Sequence, residues 1–110
     1  MRQLLINELN REEAEKIKEF LKAQSRAGGV EGLFWLAIPE TLLGEAQKGH
    51  EQCGPFSFAI ECGEDFVSFE LLVRSAANLH CSCTCYPTTS QRDFLLDFMD
   101  RMVVEQGVKA

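Results

Sequence analysis

Between Phe56 and Tyr86 apolar and polar positions alternate with the two-residue period of a half-buried strand, and they do so three times. Phe56, Phe58, Ile60 and Cys62 alternate with Ser57, Ala59 and Glu61; Val67, Phe69, Leu71 and Val73 with Ser68, Glu70 and Arg74; Leu79, Cys81, Cys83 and Cys85 with His80, Ser82, Thr84 and Tyr86. Gly63-Glu64 and Ser75-Ala76-Ala77 supply the turns. A two-residue turn at Gly63-Glu64 sets Ile60 opposite Val67 and Phe58 opposite Phe69. A three-residue turn at 75–77 sets Leu71 opposite Cys81, Phe69 opposite Cys83 and Val67 opposite Cys85. Both turns give Val67, Phe69 and Leu71 the same face, as a shared ladder requires.

The period changes to 3.6 elsewhere. Ala14, Ile17, Phe20, Leu21 and Gln24 form one stripe of a helix that runs from Asn10 to Gly28, with Asn10 and Glu13 at capping-box spacing. Phe94, Leu95, Phe98, Met102 and Val103 form the stripe of a second helix over about 89–106, opened by either Thr88–Gln91 or Ser90–Asp93. Residues 2–8 read as a strand, and Val30 to Ile38 as a strand whose two faces are both apolar. Pro39 opens a short helix over about 40–48. The order β-α-β-(short α)-β-β-β-α predicts an α+β two-layer sandwich: a largely antiparallel sheet of about five strands with the two long helices on one face. A chain of 110 residues is the size of one domain, so 1–110 reads as a single unit.

Charge removes several function classes. The formal net charge is −6, and residues 31–74 hold eight carboxylates against Lys48 and Arg74. The basic residues of the first helix are interleaved with acids such as Glu12–Lys16, the pattern of a solvated helix face. No basic stripe is available to neutralise phosphates, which argues against nucleic acid and anionic membranes as partners. The longest apolar run, Leu33 to Ile38, is far below the ~20 residues of a spanning helix. Five cysteines, an odd number, without a secretory pattern predict reduced thiols in the cytoplasm.

Two places carry candidate chemistry. His80-Cys81-Ser82-Cys83-Thr84-Cys85 presents alternating thiols, and His50-x-x-Cys53 presents an imidazole and a thiol between two glycines. Together His50, Cys53, Cys81 and Cys83 make a donor set for zinc or for thiol redox chemistry. On a strand, however, Cys81, Cys83 and Cys85 share the face of Leu71, Phe69 and Val67, and alternate residues stand roughly 6.5–7 Å apart. That is wide for two ligands with bonds near 2.3 Å, so packing as small core hydrophobes is the favoured reading, with no metal and no cofactor. His50 beside Cys53 has the makings of an activated nucleophile, but no third residue orients the imidazole, and no catalytic set is assembled. Glu64-Asp65 and Glu12-Glu13 sit where turns and helix starts favour acids, and Gly28-Gly29-x-x-Gly32 follows a helix, the wrong context for a phosphate loop.

The favoured functional expectation is therefore a small non-enzymatic module that binds a protein partner, or a second copy of itself, through the open sheet face. Its candidate contacts are Glu70, Leu72, Arg74, His80, Thr84 and Tyr86, with His50 nearby. The alternative is the thiol-based zinc or redox protein. A two-layer α+β order is shared by folds with unrelated functions, so it does not decide between them.

Overall fold

In the computed structural model, which describes residues 2–77 and 81–109, the chain forms β1 (Gln3–Ile6), α1 (Arg11–Gln24), β2 (Arg26–Ala27), β3 (Leu33–Ala37), β4 (Phe56–Cys62), β5 (Val67–Glu70), β6 (Arg74–Ser75) and α2 (Thr89–Glu105). The strands form one antiparallel sheet in the order β1-β5-β4-β3-β2, and β6 continues the β5 side by pairing with the start of β4. The α+β class with a largely antiparallel sheet and two long helices is the one the sequence pattern predicts.

One face of the sheet builds the core. Phe34, Leu36, Phe58, Ile60, Cys62, Val67 and Phe69 lie on that face and join Ile17, Phe20 and Leu21 of α1 and Leu95, Phe98 and Met102 of α2 in one cluster. Phe20 and Phe98 meet with ring centroids 5.4 Å apart and planes tilted by 56°, in the range aromatic pairs prefer. The other face carries Trp35, Ser57, Ala59, Glu61, Ser68 and Glu70.

Both helix starts are capped by the residues that the sequence offers. Asn10 accepts from the Glu13 amide and Glu13 returns a carboxylate to the Asn10 amide; Thr88 and Gln91 do the same for α2. α1 stops earlier than Gly28. Ser25 turns into extended backbone, its hydroxyl donates to the Leu21 carbonyl, and Arg26-Ala27 then pairs with Trp35 and Phe34.

Two expectations need correction in detail. The β4–β5 turn is two residues longer than expected, so Ile60 faces Phe69 and Cys62 faces Val67. A shift of two preserves the faces; the Gly63 amide donates to the Phe66 carbonyl across the turn, and the Phe66 ring lies 2.2 Å from where a Cβ at Gly63 would stand, so only glycine fits there. The segment 40–48 is not an α-helix; a 3-10 turn at Glu40–Leu42 gives way to turns, and a second 3-10 turn spans Glu51–Cys53.

The third strand of the meander is the larger correction. The edge of β5 on which 79–86 was to pair is taken by β1, with Leu4 opposite Phe69 and Ile6 opposite Val67. Residues 79 and 80 of the expected strand lie outside the described residues; of the rest, 81–86, only a single bridge forms, Val73 with Cys85, while residues 81–83 turn back and the Thr84 amide donates to the Cys81 carbonyl. Among the described residues no helix is long and apolar enough to cross a membrane.

Candidate metal centre

Two loops meet at the end of the sheet where β4 begins. The first follows Gly49, whose φ of +81° sets the sharp turn after which His50 caps the 3-10 turn Glu51–Cys53. The Cys53 amide donates to the His50 carbonyl at 2.8 Å, which folds the imidazole and the thiol onto the same side. The second loop leaves β6 and returns to α2, carrying Cys81, Cys83 and Cys85. The two are sewn together by backbone: the Cys53 carbonyl accepts from the Ser75 hydroxyl and the Ala77 amide, and the Ala76 amide donates to the Pro55 carbonyl.

The result gathers His50, Cys53, Cys81 and Cys83, whose ligand atoms all lie within 4.8 Å of one another. His50 Nδ1 is 3.2 Å from Cys81 Sγ and 4.0 Å from Cys53 Sγ. A tetrahedral zinc ion with Zn–S near 2.3 Å and Zn–N near 2.0–2.1 Å requires N···S edges of about 3.6 Å and S···S edges of about 3.8 Å. The two imidazole distances bracket that value, so an ion fits with small side-chain adjustments. The expected objection, that Cys81 and Cys83 are too far apart, held only for an extended strand; in the turn at 81–83 both thiols point to one spot.

The thiols are not equivalent. Burial pushes the Cys83 thiol up to about 12, and the neighbouring Cys81 and Cys53 sulfurs add to the rise. Cys81 is drawn down to about 7, chiefly by hydrogen bonding from the Cys83 backbone and then its side chain, with Cys53 and the charge of His50 contributing less. Cys62 lies elsewhere, in the core against α1, and desolvation raises its thiol. All five cysteines are free thiols.

A second layer holds this knuckle in place, and sequence reasoning missed it. Gln47 is 2% exposed and uses both ends of its amide. Its Nε2 donates to the Cys83 carbonyl at 2.8 Å and lies 3.4 Å from Cys85 Sγ, while its Oε1 accepts from the Gly44 amide and from Gln91 Nε2. Gln91, also buried, donates onward to the Leu42 carbonyl and caps α2. Gln91 was legible only as a capping residue, and nothing in the pattern around Gln47 sets it apart from a surface glutamine.

The residues expected to face a partner are placed as follows. Glu70 and Arg74 form a two-pronged ion pair, Leu72 is half-buried, and Thr84 Oγ1 accepts from the Ser75 amide. Tyr86 is exposed and carries the Arg2 guanidinium over its ring at 3.8 Å. His50 belongs instead to the thiol cluster, and His80 lies outside the described residues. No protein-family model, no curated protein and no solved structure matches the chain.

Proposed function

We propose that this protein is a zinc-binding module in which His50, Cys53, Cys81 and Cys83 hold one ion. The observation that carries the reading is the convergence, within 4.8 Å, of one imidazole and three thiols drawn from two loops far apart in sequence. Three sulfurs and one nitrogen suit a borderline-soft ion and disfavour magnesium or calcium, which take oxygen ligands. Four protein ligands close the coordination shell, leaving no position for water or substrate, so on this reading the site is structural rather than catalytic. Three reduced thiols suit a reducing compartment such as the cytoplasm.

The direct test is a native mass spectrum of protein purified under reducing conditions and incubated with zinc. One zinc per chain is expected, lost on denaturation and absent from a Cys53→Ser, Cys81→Ser double variant. A native mass equal to the bare chain after zinc treatment would end the proposal.

The thiol order also fixes the pH response. A ligand must be deprotonated to bind, and Cys83 stays protonated over the physiological range because its thiol is raised. Zinc binding therefore releases the Cys83 proton, and apparent affinity should fall at least about tenfold per unit as pH drops from about 9 to about 7. Below about 7 Cys81 also takes up a proton, so the slope steepens. Competition with a chromophoric chelator across this range measures the slope; a flat profile contradicts thiolate ligation.

A further inference from the structure

On the outer face of the sheet, away from the thiol cluster's donors, Arg26, Trp35, Ser57, Arg74, Ser75 and Ala76 line a cavity of about 180 Å³. We propose that this cavity binds a small aromatic carboxylate, with the carboxylate between Arg26 and Arg74 and the ring against Trp35.

The register explains why the cavity exists. β4 presents small residues on this face, Ser57 and Ala59, while its neighbours present large ones: Trp35 opposite Ala59, Arg26 opposite Trp35, and Arg74 opposite Ser57. A floor of small side chains between tall walls makes a trough along the central strand. Ser57 is 4% exposed, so the larger side chains stand over a buried polar residue of β4.

The lining selects an anion. Its two charged residues are both arginines, and it contains no acid. Arg74 is held in place by Glu70 through Nε and Nη2, which orients the guanidinium plane and leaves its Nη1 edge as the donor face. Among the described residues Arg26 makes no ion pair, the paired cations being Arg11, Lys16, Lys22, Lys48, Arg74 and Arg101. Glu70 balances the charge of Arg74, so Arg26 supplies the cavity's uncompensated positive charge, and a bound carboxylate would take charge-assisted contacts from both guanidiniums. Size and shape select the rest of the ligand. A cavity near 150 Å³ holds a benzene ring, so 180 Å³ suits one ring with a carboxylate attached. Trp35 offers the flat apolar wall on which such a ring stacks.

The chain contains a single tryptophan, so Trp35 fluorescence reports on the cavity directly. Titrating benzoate into the zinc-treated protein should give a saturable change in Trp35 emission. Arg26→Gln, an exposed position whose loss leaves the core intact, should weaken binding about tenfold or more. Benzamide, which keeps the ring and loses the charge, and inorganic phosphate, which keeps the charge and loses the ring, should each bind at least about tenfold more weakly than benzoate. Absence of saturation by about 10 mM benzoate would overturn the proposal. So would equal binding of benzamide or phosphate, or an unchanged affinity in Arg26→Gln. Because neither arginine is a zinc ligand, zinc stoichiometry measured on the same samples separates failure here from failure of the metal reading.

Discussion

Zinc added to the reduced, metal-free protein is expected to raise its unfolding free energy by about 4 kcal/mol once free zinc exceeds the dissociation constant about 1,000-fold. The gain arises because the unfolded chain lacks a preformed donor set, so metal binding free energy becomes folding free energy. Cys83→Ser should abolish the gain. Cys83 is the one ligand with no exposed surface, and its serine replacement offers a hard, poorly acidic oxygen where the ion needs a thiolate. The metal-free protein should keep its fold, because the core of α1, α2 and β3–β5 is assembled largely from residues outside the two loops. Urea unfolding with and without zinc, on both proteins, gives the four values needed. An equal zinc-dependent gain in Cys83→Ser would remove that residue from the site.

The second large effect should come from a residue that never touches the ion. Gln47→Leu preserves side-chain volume and removes every hydrogen bond of the amide. The Cys83 carbonyl, the Gly44 amide and one bond of Gln91 Nε2 then lose their partner in a buried setting. Each unsatisfied group costs about 1–3 kcal/mol, and with partial relaxation a total loss of about 3–5 kcal/mol is expected. Zinc affinity should also drop about 10–100-fold, the usual cost of removing the support behind a metal ligand. Gln47→Glu separates the parts, since it retains the acceptor for Gly44 and loses the donor to Cys83. A Gln47→Leu protein within about 0.5 kcal/mol of the parent in urea would show that the network is ornamental.

These expectations rest on a site whose members were visible in the sequence and whose geometry was not. The helices were legible because their signals are local: Asn10 with Glu13, Thr88 with Gln91, and stripes such as Ile17, Phe20 and Leu21 that only one period explains. The faces of β4 and β5 were also legible, since a register shift of two leaves Ile60 and Phe69 pointing where alternation puts them. The Cys81–Cys85 segment misled because Cys-Ser-Cys-Thr-Cys alternates as a strand does, while the outcome depended on a competition. Leu4 and Ile6 took the β5 edge, a contact across more than sixty residues that no local pattern encodes. Deprived of that edge, Cys81–Ser82–Cys83 turned, and turning is what brought two thiols to one point. The short helix after Pro39 failed for a related reason: Gln47 is held by Gln91 of α2 and by the Cys83 carbonyl, and in turn accepts from the Gly44 amide, so tertiary hydrogen bonds override a weak local preference.

The position of the two loops also has a mechanical consequence. His50 lies just before β4 and Cys81 just after β6, 31 positions apart in the chain, so an ion held by both closes the central meander into a ring. Closing a loop of that length in an unfolded chain costs about 4 kcal/mol of conformational freedom, and the folded chain has its ends already together, so the ion should bind the native state in preference to the unfolded one. A cut at the Gly63–Glu64 turn would then open the ring without releasing either half, because the ion still bridges the two pieces. Such a clasp would stand at one end of the sheet, so the strands it encloses would slide or peel from the end that carries that turn.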